Sequence, residues 1–211
     1  QQLLKMVGFE PRKGSPARVL LEPIGLQEPI ELPANQRFRV GDMSFETMKE
    51  RLLEPCHVTG VYVNHKGVYK DYSYVLDNEI LIGASIFGDA PEEGMEIFIV
   101  MDRTPSPMTD SIFYLKTTGE YHRNPPEEKN RNRLAQVVWE CYTEDGFVPM
   151  NVKDETDGFL LDGELRFRMP EQEAKLYREH GIQGYVFRGT LKKAQYEVPP
   201  RIQNLSGFLL E

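Results

Sequence analysis

Two cysteines and four histidines are the side chains of this 211-residue chain best suited to nucleophilic or metal chemistry. Cys56 and Cys141 lie far apart and match neither a metal-ligand spacing nor a CxxC motif, so we predict two free thiols. No serine occupies a Gly-x-Ser-x-Gly elbow. Polar or turn-forming contexts predict surface positions for all the histidines: His57, His65, His122 and His180. We therefore expect no catalytic residue, no metal site and no cofactor site.

Paired carboxylates could support acid–base chemistry, and they recur in three places. Glycosidases use two carboxyl groups on opposite sides of a cleft, within about 10 Å of each other. Acidic side chains are also common in β-turns, because aspartate caps the turn backbone and tolerates its dihedral angles. We favour the turn interpretation, and a hydrolase that uses a carboxylate pair is a third candidate function, besides the two given below. The acidic groups are Glu92 with Glu93, Glu127 with Glu128, and Asp154 with Glu155 and Asp157.

Residues 154–158, with the sequence DETDG, also have the composition of a calcium-binding loop. An EF-hand loop alternates its oxygen ligands and ends on a glutamate at the twelfth position. The alternation is missing here, and Leu165 occupies the twelfth position. We predict a turn between two strands.

Aromatic side chains could instead form a platform on which sugar rings stack. Tyrosine and tryptophan in strands more often pack against a sheet face or in a core. A carbohydrate-binding β-sandwich module is therefore the alternative function, and it requires coplanar exposed rings such as Tyr62, Tyr69 or Tyr74. The full set of candidate platform residues is Tyr62, Tyr69, Tyr72, Tyr74, Trp139 and Tyr142.

The overall charge and composition of the chain limit the classes of molecule that it is expected to bind. The net charge of −8 argues against nucleic-acid binding, which needs a basic surface. The chain has no run of about 18 apolar residues, so we expect no membrane span. It begins Gln1-Gln2 without an initiator methionine, and we expect it to be a portion of a longer protein. A small-molecule substrate is not expected either.

Short alternating runs separated by Gly, Pro and Asp turns predict a mainly β protein, an antiparallel β-sandwich with one or two short helices. The helices are predicted over residues 1–15 and 170–180, the latter because proline and acidic residues start it and Gly181 follows it. Residues 79–88 fit either a strand or a loop with apolar side chains under the sheet. A soft boundary near residue 95 separates an N-terminal β-rich region, 1–94, from a β-sandwich module, 95–211.

The first part of the chain carries motifs in a recognisable order. Leu3-Leu4 to Gly8 precede Pro16-Ala17-Arg18 and a strand. The segment IELPA at 30–34 is followed by Phe38, and then FET at 45–47. This order resembles the start of the baseplate J-like proteins, in particular the baseplate assembly proteins of contractile phage tails and related injection machines. Asn35-Gln36 stand where that family usually has Gly-Thr.

The C-terminal part resembles the same family over a longer stretch. Trp139-Glu140, a turn and Phe147 are similar to its W-E-Y…G-W hairpin, although Cys141 precedes Tyr142 and Phe147 replaces tryptophan. The remaining matches follow in the family's order: V-x-D-x-T-x-G at 152–158, G-x-L-x-F-x-x-P at 163–170, G-Y-V-F-R at 184–188 and Y-x-x-P-P at 196–200. The resemblance is looser over residues 50–110.

The resemblance implies a structural role. Proteins of this family assemble with other baseplate and tail proteins, as part of a ring, first in the bacterial cytoplasm and then in the virion or injection machine. They act through protein–protein contacts, and their motif residues set the fold. We therefore expect Trp139, Asp154, Thr156, Gly158 and Arg188 to be fold-setting positions. The predicted contact surfaces are two exposed polar connections, residues 122–133 and 102–110.

Overall fold

The computed structural model describes residues 21, 23, 25–77, 83–118 and 135–207. These residues form fifteen strands and one short 3-10 turn, Ser73–Leu76. The predicted helix at 1–15 lies outside them. The strands are β1 (Ile30–Leu32), β2 (Arg37–Val40), β3 (Met43–Glu46), β4 (Arg51–Leu53), β5 (Val58–His65), β6 (Val68–Asp71), β7 (Glu96–Met101), β8 (Asp110–Thr117), β9 (Ala135–Thr143), β10 (Gly146–Pro149), β11 (Asn151–Asp154), β12 (Gly163–Arg168), β13 (Leu176–Glu179), β14 (Ile182–Ala194) and β15 (Ile202–Gly207).

Two sheets make up the body of the protein. The larger has seven strands in the order β10-β9-β14-β7-β5-β6, with β13 also paired to β14. The smaller has the order β11-β12-β8-β15. Every pairing in both sheets is antiparallel. The prediction of a mainly β, antiparallel sandwich is therefore confirmed.

The main core lies between the two sheets and is rich in aromatic rings. Phe167 on β12 is fully buried. Its ring centroid lies 4.9 Å from that of Trp139 on β9 and 5.2 Å from that of Phe187 on β14. Phe113, on β8, meets Phe187 edge-on at 5.6 Å. Because alternate residues of a strand point to opposite faces, one inward-facing set from each sheet fills this layer.

A second apolar cluster covers the opposite face of the larger sheet. Its buried members are Phe98, Val100, Tyr177, Ile182 and Val186. The strand β7 is buried on both faces because it lies between the two clusters, and this explains the continuous apolar run IFIVM that follows Glu96. Partly buried rings complete the cluster: Tyr62, Tyr69, Tyr142 and Phe147.

The helix predicted over residues 170–180 is wrong, because the segment ends in β13. His180 and Gly181 take positive φ values of 53° and 78°, as a two-residue hairpin turn into β14 requires. Tyr177 is 3% exposed within the outer cluster. Pairing with β14 and the burial of Tyr177 stabilise a strand here more than the capping residues stabilise a helix, because a helix this short is only marginally stable.

Strands from both predicted regions share one sheet. The boundary near residue 95 falls just before β7, and β5 pairs with β7 across it.

Within the ambiguous segment 79–88, residues 79–82 lie outside the described part. Residues 83–88 form a loop, and its side chains Ile86 and Phe87 are only 1% exposed. Of the two predicted alternatives, these residues therefore match the loop with apolar side chains packed under the sheet. Strands β4 and β15 were not predicted.

An N-terminal ribbon is fixed to the smaller sheet by a buried ion pair. β1 pairs with β4, and the hairpin β2–β3 extends beyond them. Arg51 on β4 donates to Glu164 on β12 at 2.6 Å, and their side chains are only 5% and 14% exposed. Such a pair holds its partners in one geometry, since breaking it leaves a buried charge without compensation.

We expect Phe167→Ala to lower the free energy of unfolding by about 3–5 kcal/mol, because it opens a cavity where both sheets meet. Urea denaturation followed by tryptophan fluorescence measures the change, since Trp139 contacts this ring. The control is Val198→Ala, at a side chain that is 50% exposed. It should stay within about 0.5 kcal/mol of the parent. Equal effects of the two substitutions would contradict this account of the core.

Candidate functional site

The acidic loop that follows β11 is organised by its first carboxylate. Asp154 Oδ1 accepts hydrogen bonds from the backbone N–H and the hydroxyl of Thr156, both at 2.7 Å. Its other oxygen, Oδ2, accepts from the backbone N–H of Gly158 at 3.1 Å. The Thr156 hydroxyl in turn accepts from the backbone N–H of Phe159 at 3.0 Å. The loop therefore folds around its own side chains, in the manner of an Asx turn.

Two of the sequence motifs and the start of β9 meet at Gly158. The residue has a φ of +71°, and a Cβ placed there would lie 2.7 Å from Cβ of Ala135 at the start of β9. Tyr196 donates its hydroxyl to the carbonyl oxygen of Gly158 at 2.8 Å. Burial raises the pKa of this phenol, with Asp154 and Asp157 adding to the shift. Glycine is required at this junction both for its dihedral angle and for the close approach of β9.

The calcium interpretation of residues 154–158 has no structural support within the described residues. Both oxygens of Asp154 are used by the loop's own donors. No group of three or more His, Cys, Asp or Glu side chains in the described ranges is arranged to hold a metal ion. The turn interpretation is the one that the hydrogen bonds match.

The two thiols are free, as predicted from the sequence, and the structure shows that both are buried. Burial raises the pKa of Cys56 to about 12, and the carboxylates of Glu54 and Asp102 contribute to the rise. Burial alone raises the pKa of Cys141 to about 12. A nucleophilic cysteine needs the opposite shift, because the thiolate is the reactive form. Neither thiol is therefore poised for catalysis.

The described histidines lie at the surface, as predicted, with side chains 37–49% exposed. His57 ring nitrogen Nδ1 lies 3.3 Å from Asp102 Oδ2, which brings a histidine–carboxylate pair beside the inert Cys56. His65 contacts Glu92, and His180 stacks on Tyr69 with ring centroids 4.4 Å apart. The fourth, His122, lies outside the described residues.

Among the described acidic groups, Asp154 and Asp157 line one cavity of about 230 Å³, but both carboxylate oxygens of Asp154 accept hydrogen bonds from the loop's own donors. Hydrogen bonds from Lys66 and then His65 lower the pKa of Glu92, and a hydrogen bond from Lys153 lowers that of Glu155. A general acid needs a raised pKa, so these shifts point away from acid catalysis. Glu127 and Glu128 lie outside the described residues.

Sequence reasoning missed a different pair of carboxylates, which lies on the outer face of the larger sheet. Arg188 on β14 contacts Glu140 on β9 at 2.6 Å and Glu96 on β7 at 3.4 Å. The two carboxylates therefore fall within the roughly 10 Å of a glycosidase pair. However, the guanidinium group that both contact occupies the space between them. Alternation of side-chain direction fixes the face of its own strand that each residue occupies, but only the pairing of β14 with β7 and β9 brings the three residues together.

Arg188 joins this ionic group to the aromatic cluster. Its guanidinium carbon lies 3.7 Å from the ring centroid of Phe147, a cation–π arrangement. Asn64 donates to Glu96 at 2.7 Å, so the carboxylate also has a neutral partner. The three charged side chains are 19–23% exposed. Each charge is paired, and the group holds β7, β9 and β14 in register.

The candidate sugar platform is split between different parts of the fold. Trp139 is 2% exposed and lies in the main core, and Tyr72 packs against that core too. Tyr62, Tyr69 and Tyr142 share the outer face of the larger sheet. Their Phe and Tyr neighbours there are tilted or edge-on: Tyr142 meets Tyr177 at an interplanar angle of 80°, and Tyr69 meets Phe98 at 54°. The one stacked neighbour among the described residues is His180, at 13° to Tyr69, and it covers that ring. This is the geometry of packed rings, since a stacking platform needs coplanar ones.

We expect Asp154→Ala to lower the free energy of unfolding by about 1–3 kcal/mol, because it leaves the buried hydroxyl of Thr156 and two backbone N–H groups without their acceptor. Chemical denaturation measures the loss. Asp145→Ala, in the turn before β10, is the matched control and should have little effect. Millimolar calcium should leave the melting temperature of the parent unchanged. A calcium-dependent rise that Asp154→Ala abolishes would restore the metal interpretation.

Stability should fall as the pH rises above about 9, the ordinary pKa of a thiol. The folded chain keeps Cys56, Cys141 and Tyr177 protonated up to a pKa of about 12, whereas the unfolded chain releases these protons earlier. Stabilisation from these groups is thus complete below pH 9 and is lost between about pH 9 and 12. Urea midpoints at pH 8, 9 and 10 measure the slope, which Cys141→Ala should reduce. A flat profile above pH 9, or rapid alkylation of the native thiols at pH 8, would contradict the burial of these groups.

Within the described residues, no helix is long and apolar enough to cross a bilayer. The chemistry found there is that of turn capping, ion pairing and aromatic packing. Neither a scan against protein-family models nor a search of curated proteins returns a match for this chain.

Proposed function

We propose that this chain is a structural module of a contractile-tail baseplate, a portion of a wedge subunit that acts through protein–protein contacts. Its implied partners are other baseplate and tail proteins, arranged with it in a ring around the tail hub. The implied mechanism is mechanical, because rearrangement of such a ring triggers contraction of the sheath. Assembly would take place in the bacterial cytoplasm, before incorporation into the virion or injection machine.

The observation that carries this proposal is the convergence at Gly158. Two motif segments that are far apart in the sequence contact each other there, the Asp154–Gly158 loop and Tyr196, next to Ala135 at the start of β9. Such a contact is expected if both motifs set the same fold. Contacts among them support a resemblance that extends to the fold.

The roles of the motif residues support the same proposal. Trp139 and Phe167 fill the core, Thr156 is fully buried, and Arg188 is paired with Glu140. Gly184 has a φ of 153°, and a Cβ there would lie 2.4 Å from Val100 Cγ1. Each of these residues satisfies a packing or hydrogen-bonding need of the fold. A protein that acts through its shape requires such positions and no reactive group.

Carbohydrate binding is the rival function. The outer face of the larger sheet does combine tyrosines with polar groups, and Tyr74 is 48% exposed. Yet Tyr74 lies in the turn Ser73–Leu76, where it pairs with Tyr72 at 45°, so it adds no ring to the outer face. The tilted packing there favours a structural interpretation of the rings.

Affinity capture separates the two functions. The tagged chain is mixed with an extract of cells that express sheath, tube and spike genes, and it should retain a baseplate or tail protein from that extract. On a glycan array the same chain should bind no glycan. Tyr69→Ala is the discriminating variant, since it should leave capture of the tail protein unchanged. Glycan binding by the parent, lost in Tyr69→Ala, would support the rival.

The matched control for this variant is Tyr74→Ala, which removes an exposed ring away from the outer face. Gene neighbourhood gives an independent check, because sheath, tube and spike genes beside this one are expected. Failure of the chain to retain any tail component would count directly against the proposed function.

A further inference from the structure

A groove with an apolar floor lies at the β5–β6 edge of the larger sheet. It encloses about 350 Å³ between this hairpin and the loop at 85–90. Small-molecule sites in proteins are typically recesses of roughly 300–1,000 Å³ with a mainly apolar lining and a few polar groups that fix the ligand. The floor of the groove consists of four buried apolar side chains: Val63, Ile86, Phe87 and Met95.

The two walls of the groove are tied to each other near the tip of the hairpin. The imidazole of His65 and the ammonium group of Lys66 both contact Glu92 Oε2, at 3.2 Å and 2.7 Å. Glu92 follows the loop wall closely and donates its backbone N–H to Met95 Sδ at 3.3 Å. The chain's own contacts therefore fix the groove, and a preformed site binds its ligand without the cost of ordering its walls.

Two charged side chains of the groove take no part in holding it together. Lys70 on β6 lies opposite Val63 in the register of the hairpin, so it shares the face that carries the floor. Asp89 lies on the loop wall. Both residues line the groove and both are exposed. Neither side chain makes an ion pair or a hydrogen bond with another described residue.

One cation and one anion on opposite walls of an apolar floor match a ligand that carries both charges on an apolar body. Its carboxylate would pair with Lys70, and its ammonium group would pair with Asp89. A ligand with one charge alone would lie beside a rim group of the same sign, which repels it. At the ~30 Å³ that a water molecule occupies, the groove has room for roughly ten non-hydrogen atoms, about the size of leucine.

We propose that this groove binds a free α-amino acid with an apolar side chain. The side chain lies on the floor, the carboxylate pairs with Lys70, and the ammonium group pairs with Asp89. Val68, which is 60% exposed at the rim, contacts the ligand from the hairpin side. This inference goes beyond the structural-module function and does not depend on it, because it concerns a ligand of the chain and not a protein partner.

The test titrates the full 211-residue chain at pH 7 with L-leucine up to about 10 mM. Two-dimensional ¹H–¹⁵N NMR follows the backbone amides. Leucine should shift the amides of the β5–β6 hairpin and of the loop at 85–90 with a Kd of about 0.1–1 mM, since both ion pairs form at exposed side chains. Glycine has the same two charges but no apolar side chain, and it should cause no saturable shift.

Two probes that each lack one charge test the roles of the rim groups. 4-Methylpentanoate is leucine without its ammonium group, and 3-methylbutylamine is leucine without its carboxylate. Each should bind about three- to fivefold more weakly than leucine, the factor that an exposed ion pair provides. A probe that binds as tightly as leucine would overturn the assignment of both charges.

Variants of the two rim residues give the matching evidence from the protein. Lys70→Gln and Asp89→Asn should each weaken leucine binding by a similar factor. The matched controls are Lys116→Gln and Asp145→Asn, at exposed charged side chains outside the groove, and they should bind leucine like the parent. All four positions are exposed, so the four melting temperatures should equal that of the parent.

Three results would overturn the proposal. The first is a parent chain that shows no saturable shift with leucine. The second is a set of shifts confined to residues outside the groove. The third is leucine binding that stays unchanged in both Lys70→Gln and Asp89→Asn.

Discussion

The edge-on contact between Trp139 and Phe167 joins the two sheets, and the rest of the structure depends on it. Gly189 on β14 lies against this contact, since a Cβ there would come within 2.9 Å of the Trp139 ring. The indole therefore lies between β14 and β12, with no room for a larger residue behind it. Because protein interiors are close-packed, such a ring fixes the distance between the sheets, and the loops that connect them must conform.

The loop at 154–158 shows how this constraint reaches the surface. It connects β11 with the residues leading to β12, and its Gly158 packs against Ala135 at the start of β9. Asp154 and Thr156 satisfy the backbone groups that the turn would otherwise leave without partners. Acidic residues that could have signified a metal or a catalytic pair thus serve to close a turn next to the core.

Local patterns in the sequence were sufficient for most strands and several turns. Short runs of strand-forming residues between turn residues indicated the β structure, and Gly41 and Gly67 supply the positive φ of two hairpin turns. The segment at 170–180 misled because its proline, acids and following glycine are genuine helix signals. They were overridden by the pocket that receives Tyr177, which is built from Phe98, Tyr142 and Phe147 on three other strands. No local pattern reveals a pocket assembled from distant residues.

The sequence by itself determined the β class, the free thiols, the surface position of the three described histidines and the turn at 154–158, because each depends on neighbouring residues or on simple periodicity. Only the tertiary structure decided that Glu96, Glu140 and Arg188 meet, that the candidate platform is divided between two clusters, and that the hairpin β2–β3 has an exposed apolar face. These features depend on which strands become neighbours. Strand order is set by the packing of both faces of the sheets, so residues 48 positions apart, such as Glu140 and Arg188, become partners.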